Sequence, residues 1–106
     1  MDLEEVALQI ISRGSDARNI SYQALAASKA GDFEDAKNLL NEAEEKLQAA
    51  HKLQTELLQK KLNTKDPLSI LLIHGQDHLM TAMAEKNLIM EMIDLYKRLN
   101  NEEIDK

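Results

Sequence analysis

Apolar side chains recur every three or four residues along most of this chain, which is the period of a helix with one buried face. The pattern is clearest over residues 32–62, where the opposite positions carry glutamate, aspartate and lysine. The apolar positions of this segment are Phe33, Ala36, Leu40, Ala43, Leu47, Ala50, Leu57 and Leu58. No stretch alternates between polar and apolar residues as a half-buried strand would, so the pattern predicts an all-α fold.

Two breaks divide the pattern into three helices. Gly31 can end one helix and Asp32 can cap the next, while the polar residues 63–66 lead into Pro67, the only proline. The predicted helices cover residues 3–29, 32–62 and 68–100. With such short connections they form an antiparallel three-helix bundle, a single domain over residues 1–106 with its core at about residues 4–99.

The first segment is less regular than the second. Gly14, Ser15 and Asp16 interrupt its apolar pattern. They predict a kink or a break in the first helix, with Asp16 as a second N-cap.

The third segment has more apolar positions than a three-helix core can cover. One stripe is predicted to face the core, and it consists of Leu72, Met80, Met83, Leu88, Met92, Leu95 and Leu99. A second group falls outside that stripe, namely Ile70, Ile73, Ile89, Met90 and Ile93. Exposed apolar surface on this scale predicts an oligomer.

Composition narrows the functional classes. The 106 residues include no cysteine, which excludes disulfides and thiolate chemistry. The net charge of −6 argues against a nucleic-acid partner, which would need a basic face. No apolar run is long enough for a membrane span, and the acidic first residues lack the basic region of a signal peptide. We therefore expect a cytoplasmic protein without direct membrane insertion.

The candidate chemistry lies in the third segment. His74, Asp77 and His78 are spaced so that they share one helical face, inside a stretch that otherwise appears buried. Four interpretations are open at this point: a structural hydrogen-bond network between helices, a divalent metal site, a solvated cluster without a role, and an imidazole nucleophile or proton carrier. A metal site would need further ligands, for which Asp77, His51 and Glu85 are available.

A nucleophile in this cluster would have to be a histidine. Thr81 is the only hydroxyl one turn away, and neutral imidazole is nucleophilic near pH 7. Phosphoryl transfer suits such a group best, and without a P-loop or kinase glycine loop the donor is not expected to be a nucleotide. His51, near the middle of the second helix, is either a core histidine bonded to a carbonyl or a neighbour of the His74 cluster.

Four motifs resemble one known family in the same order along the chain. Residues 73–81, Ile-His-Gly-Gln-Asp-His-Leu-Met-Thr, resemble the signature of enzyme IIA of the lactose/cellobiose (N,N′-diacetylchitobiose) class of the bacterial sugar phosphotransferase system. Residues 31–33 resemble the family's first turn, and Ala50-His51 with Gln54-Thr55 resembles its second-helix motif. Residues 14–18 resemble its N-terminal Gly-(Asp/Asn)-Ala-Arg segment, so the resemblance covers about residues 4–99.

The resemblance implies a phosphocarrier that assembles into a homotrimer. His74 would accept a phosphoryl group from the histidine phosphocarrier protein and pass it to a cysteine of the IIB component during uptake of a β-disaccharide. His78 would support the phosphoryl group, with Gln54 and His51 as lesser candidates.

The resemblance also implies that Asp77 binds one metal ion per trimer on the three-fold axis. Three carboxylates about 5 Å apart repel one another by roughly 3 kcal/mol per pair at an effective dielectric constant of 20. A hard divalent cation relieves this repulsion, and Mg²⁺ suits such oxygen ligands. The competing hypothesis is a non-catalytic helical adaptor, in which the histidines serve only as structural hydrogen-bonding groups.

Overall fold

The computed structural model describes residues 3–62 and 70–105, and these form three α-helices in the predicted order. They are α1 (Leu3–Lys29), α2 (Phe33–Leu62) and α3 (Ile70–Asp105). Within this described part of the chain there is no strand, so the all-α prediction is confirmed. The predicted turn at residues 63–67 lies outside the described residues, as do the first two residues of the predicted third helix. That helix also continues five residues beyond its predicted end.

The turn between α1 and α2 follows from two residues. Gly31 adopts φ +85°, a left-handed conformation that costs glycine little, and its N–H donates to the Ser28 carbonyl at 3.0 Å. Asp32 then caps α2, because its Oδ1 accepts the backbone N–H of Asp35 at 3.1 Å. Both predictions drawn from this Gly-Asp pair are confirmed.

α1 is the central helix of the bundle. It packs against both α2 and α3 along its length, whereas α2 and α3 contact each other less. The bundle is a rod of 65 × 17 × 17 Å. Since α1 and α3 run in the same direction, Ala7 lies beside Gly75, and Tyr22 lies beside Glu85 further along.

A kink or a break was predicted in α1, and of these the break is wrong, as is the second N-cap. The helix continues through Gly14, which is buried against α3, and Asp16 does not cap a second helix. Its carboxylate lies 3.9 Å from Lys46 of α2 instead. Packing against a neighbouring helix outweighs the roughly 1 kcal/mol that a glycine costs inside a helix.

The predicted core face of α3 is also largely wrong. Leu72 is buried as expected, and the other buried apolar residues of α3 are Leu79, Ala82, Ile89 and Ile93. Two of these, Ile89 and Ile93, were predicted to lie outside the core. Most of the predicted core stripe is exposed on the opposite side, because α3 carries two apolar faces and spacing alone does not show which of them meets α1.

Much of the exposed apolar surface forms a single row on α3, which we call the outer stripe. It consists of Ile70, Ile73, Met80, Leu88, Leu95 and Leu99, each at least half exposed. The excess apolar surface predicted for this helix is therefore present. Ile70, Ile73 and Met90 are exposed as predicted, whereas Ile89 and Ile93 are buried.

Candidate functional site

The two histidines of α3 lie beside each other near the start of that helix. Their ring centroids are 5.7 Å apart and the ring planes are tilted by 33°. His74 is exposed, whereas His78 is half-buried. The predicted proximity of His74 and His78 is therefore present, and it offers one accessible imidazole next to one anchored imidazole.

The anchor of His78 comes from α1. The Oγ of Ser15 lies 2.6 Å from Nε2 of His78, although the two residues are 63 positions apart in the sequence. A Cβ built on Gly14 would lie 3.6 Å from Cδ2 of the same ring, so the backbone of α1 closely flanks it. Sequence reasoning missed Ser15 as a site residue, although residues 14–18 resemble a family motif, because nothing in the sequence places this hydroxyl beside a residue 63 positions away.

The close approach of the two helices depends on small residues on both sides. Gly75, between the histidines, is buried, and a Cβ there would lie 3.5 Å from the carbonyl oxygen of Ala7. Ala17 of α1 and Ala82 of α3 are also buried. We call this contact, from Ala7 and Gly75 to Tyr22 and Glu85, the α1–α3 seam.

One polar cluster continues the α1–α3 seam beyond the histidines. Arg18 Nε lies 2.5 Å from Glu85, and the Tyr22 hydroxyl donates to the same carboxylate at 3.4 Å. Glu85 was a candidate third ligand for a metal on the histidines, but the structure directs it to Arg18 and Tyr22. Among residues 3–62 and 70–105, no group of three or more histidine or carboxylate side chains could hold a metal ion.

Asp77 lies on another side of α3 from the histidine contact with α1. Its helical position falls within the outer stripe, between Ile73 and Met80. The side chain is exposed, and its carboxylate has no hydrogen bond or ion pair with any described residue. Thr81 does not supply one, because its hydroxyl donates to the Asp77 carbonyl at 2.8 Å.

His51 and Gln54 lie on α2, and neither has a hydrogen bond to Ser15 or His78. His51 is exposed and lines a cleft of about 360 Å³ between α2 and α3, next to Met83 and Lys86. The Oε1 of Gln54 is buried and accepts no hydrogen bond from the described residues. The structure thus brings His74 and His78 together with Ser15 and leaves His51 in a separate cleft.

That cleft, which we call the α2–α3 cleft, is bridged by one ion pair. Lys86, whose side chain is 12% exposed, pairs with Glu44 of α2. The hydrogen bond from Lys86 lowers the pKa of Glu44 below its ordinary value of 4.5.

No helix in the described part of the chain is long and apolar enough to cross a membrane.

Comparison with known proteins agrees with this arrangement. Residues 5–97 match the family model for the lactose/cellobiose-specific IIA subunit of the phosphotransferase system. The chain is 39% identical over 102 residues to the lichenan-specific phosphotransferase enzyme IIA component of Bacillus subtilis, covering 95% of this chain and 93% of that protein.

Solved structures show the same relationship. The cellobiose-specific enzyme IIA of Bacillus anthracis superposes with a TM-score of 0.86 at 39% identity, covering 95% of this chain and 94% of that chain. The chitobiose IIA of Escherichia coli, solved in complex with HPr, superposes with a TM-score of 0.83 at 35% identity, covering 94% and 98%. The chain therefore belongs to the lactose/cellobiose family of phosphotransferase-system IIA components, which transfer phosphoryl groups in sugar uptake.

Proposed function

We propose that His74 is the residue that carries the phosphoryl group. The observation behind this is the pairing of an exposed His74 ring with a neighbouring His78 ring that α1 holds in place. A carrier must reach two partner proteins in turn, so its nucleophile has to be accessible. Neutral imidazole provides that nucleophile near pH 7.

His78 supports the transferred group from its anchored position. A phosphoryl group brings strong acceptor oxygens, and an imidazole N–H beside His74 can donate to one of them. Gln54 and His51 are weaker candidates for such support. His51 lines the α2–α3 cleft and not the α1–α3 seam, and the buried Oε1 of Gln54 accepts no hydrogen bond from either histidine.

The donor is the histidine phosphocarrier protein, as the complex of the similar chitobiose IIA with HPr suggests. In the first step the P–N bond of the donor histidine breaks as a P–N bond to His74 forms. In the second step that bond breaks as the phosphoryl group passes to a cysteine thiolate of the IIB component. We place both steps in the cytoplasm, with a β-disaccharide of the lactose, cellobiose or chitobiose type as the transported sugar.

The test is phosphorylation, by the donor system, of variants in which one histidine at a time is replaced. We expect His74→Ala to keep its helical circular dichroism and to accept no acid-labile phosphate, because the nucleophile is gone. His51→Ala is the matched control and should still accept phosphate, because it retains His74. Full phosphorylation of His74→Ala, with the phosphate found on His78 or His51 by mass spectrometry, would overturn the assignment.

We also propose that three copies assemble through the outer stripe. A row of at least half-exposed Ile, Leu and Met side chains along one helix favours burial against identical helices. Sedimentation at micromolar concentration should give a mass of about 36 kDa, three times the 12.0 kDa chain. A Leu88→Lys variant should dissociate, and a wild type that sediments at 12 kDa would refute the assembly.

Assembly through this stripe would gather three Asp77 carboxylates, and we propose that they hold one axial Mg²⁺ ion. The fit rests on the position of Asp77, an exposed carboxylate with no partner inside an apolar row. Oxygen ligands of this kind suit a hard divalent cation, whose charge offsets their mutual repulsion.

Chelation tests the metal directly. It should lower the melting temperature of the wild-type trimer, whereas an Asp77→Leu trimer should be indifferent to the chelator because the repulsion has been removed. A wild type whose melting temperature does not respond to chelation would refute the axial metal ion.

A further inference from the structure

Ser15 differs from two other serines of α1 in the partner of its hydroxyl. The hydroxyl of Ser21 donates to the Ala17 carbonyl at 2.8 Å, and that of Ser28 donates to the Leu25 carbonyl at 2.8 Å. Such bonds back to the preceding turn are the usual arrangement for serine in a helix. Ser15 contacts Nε2 of His78 instead, so its O–H proton is available to an imidazole on another helix.

The bond at Nε2 determines what the other ring nitrogen can do. A neutral imidazole has one N–H donor and one bare acceptor nitrogen, and the partner of one nitrogen selects the tautomer. When Ser15 donates to Nε2, the ring proton is on Nδ1. Among the described residues Ser15 is the only hydrogen-bond partner of this ring, so Nδ1–H is left to donate elsewhere.

We propose that Ser15 is a positioning residue for phosphoryl transfer, acting by holding His78 in its Nδ1–H tautomer. This inference rests on the proposed role of His74 as the phosphoryl carrier. With the His78 ring centroid 5.7 Å from that of His74, an Nδ1–H can meet a phosphoryl oxygen on His74. A bare Nδ1 would present a lone pair to the same oxygen and would repel it.

The backbone of α1 supports the same orientation. The Cβ position of Gly14 lies 3.6 Å from Cδ2 of His78 and 3.7 Å from the Cα of Leu79. The ring edge that carries Cδ2 and Nε2 is thus packed against α1, which leaves the opposite edge to face the phosphoryl group. Ser15 and Gly14 together fix the ring from one side.

The experiment compares Ser15→Ala with two other variants. Ser15→Thr restores a hydroxyl at the same position, and Ser21→Ala removes a hydroxyl of α1 that has no contact with the histidines. Two quantities are measured for each protein. The first is the tautomer of His78, from ¹⁵N–¹H spectra of the ring nitrogens without any donor, and the second is the initial rate of phosphoryl transfer to His74.

In the wild type we expect the ring proton of His78 on Nδ1. Ser15→Ala should move part of the population to Nε2–H and slow transfer by about 2- to 10-fold, the range that corresponds to one ordinary hydrogen bond. Ser15→Thr should recover both quantities, and Ser21→Ala should change neither.

An unchanged tautomer in Ser15→Ala, or a changed tautomer with an unchanged transfer rate, would overturn the inference while His74 remains the carrier. A wild type that takes no phosphate on His74 would instead overturn the proposed function, and with it the catalytic use of Ser15. The donor-free spectra would still report whether Ser15 sets the tautomer, so the two failures are distinguishable.

Discussion

The third helix meets its two neighbours in different ways. Against α1 it packs through glycine, alanine and serine, so that a Cβ at Gly14 would contact the backbone of Leu79 at 3.7 Å. Against α2 it leaves a cleft of about 360 Å³ that the long side chains of Glu44 and Lys86 bridge. His78 lies at the tight contact with α1, and His51 lies at the open cleft with α2. The site is therefore at the contact where the backbones of the two helices, and not long side chains, determine the distance between them.

The largest expected effect comes from opening the tight contact. Leu79→Ala should lower the free energy of unfolding by about 2–5 kcal/mol, because a side chain only 1% exposed leaves a cavity. Urea unfolding measures the loss. Met83→Ala is the matched control on the open side, where the side chain is already 38% exposed, and it should cost clearly less. Equal losses would show that the two contacts do not differ in packing.

Breaking the bridge of the open cleft should have a smaller effect. Glu44→Ala leaves the mostly buried Lys86 without its carboxylate, at an expected cost of about 1–2 kcal/mol after allowance for the exposure of Glu44. Urea unfolding again provides the measurement. Adding Lys86→Met should recover most of the loss, since the unpaired charge is then removed as well. A double variant as unstable as the single one would contradict this account.

Filling the tight contact by one methyl group should stabilise the protein. Gly75→Ala adds a Cβ at ordinary contact distances of 3.5–3.7 Å from α1 and improves helix propensity, so we expect a gain of about 0.5–1 kcal/mol. Thermal unfolding measures the gain, and phosphorylation of His74 should be retained. A loss of stability would show that the added methyl group does not fit between α1 and α3.

The smallest effect concerns acid. The hydrogen bond from Lys86 lowers the pKa of Glu44 in the folded state. The ionised Glu44 therefore contributes fully to the free energy of unfolding at pH values above its ordinary pKa of 4.5. This contribution is lost as the pH falls through the lowered pKa. A protonated carboxyl can still accept a hydrogen bond, so the loss is smaller than in Glu44→Ala. The loss is measured by comparing the free energy of unfolding of Glu44→Gln with that of the wild type as the pH is lowered from above 4.5. If the two proteins lose stability in parallel, the effect is excluded.

The ends of the helices were predictable because local chemistry determines them. The left-handed Gly31 and the capping Asp32 act within a few residues, so the sequence shows them directly. The direction in which α3 faces was not predictable from spacing, since the exposed Leu88 and the buried Ile89 are equally apolar. Which of them is buried depends on where α1 packs, and the contacting residues of α1 and α3 are some 60 positions apart in the sequence.

The candidate site divides in the same way. The proximity of His74 and His78 follows from helical spacing and was predicted, whereas the contact between Ser15 and His78 joins two helices and left no periodic signal. The predicted break at Gly14 failed for a related reason. A glycine in a helix interrupts the pattern in the same way whether the chain turns there or another helix packs against it.

The elongated shape has a practical consequence for labelling. At 1.5 Å per residue, the side chains of His74 and Asn101 are about 40 Å apart along α3. Because the chain contains no cysteine, Asn101→Cys creates a single attachment point for a dye at the end remote from the histidines. Copies aligned in the same direction would gather their dyes and quench them, whereas copies in opposite directions would keep them apart, so fluorescence alone would report the polarity of the assembly.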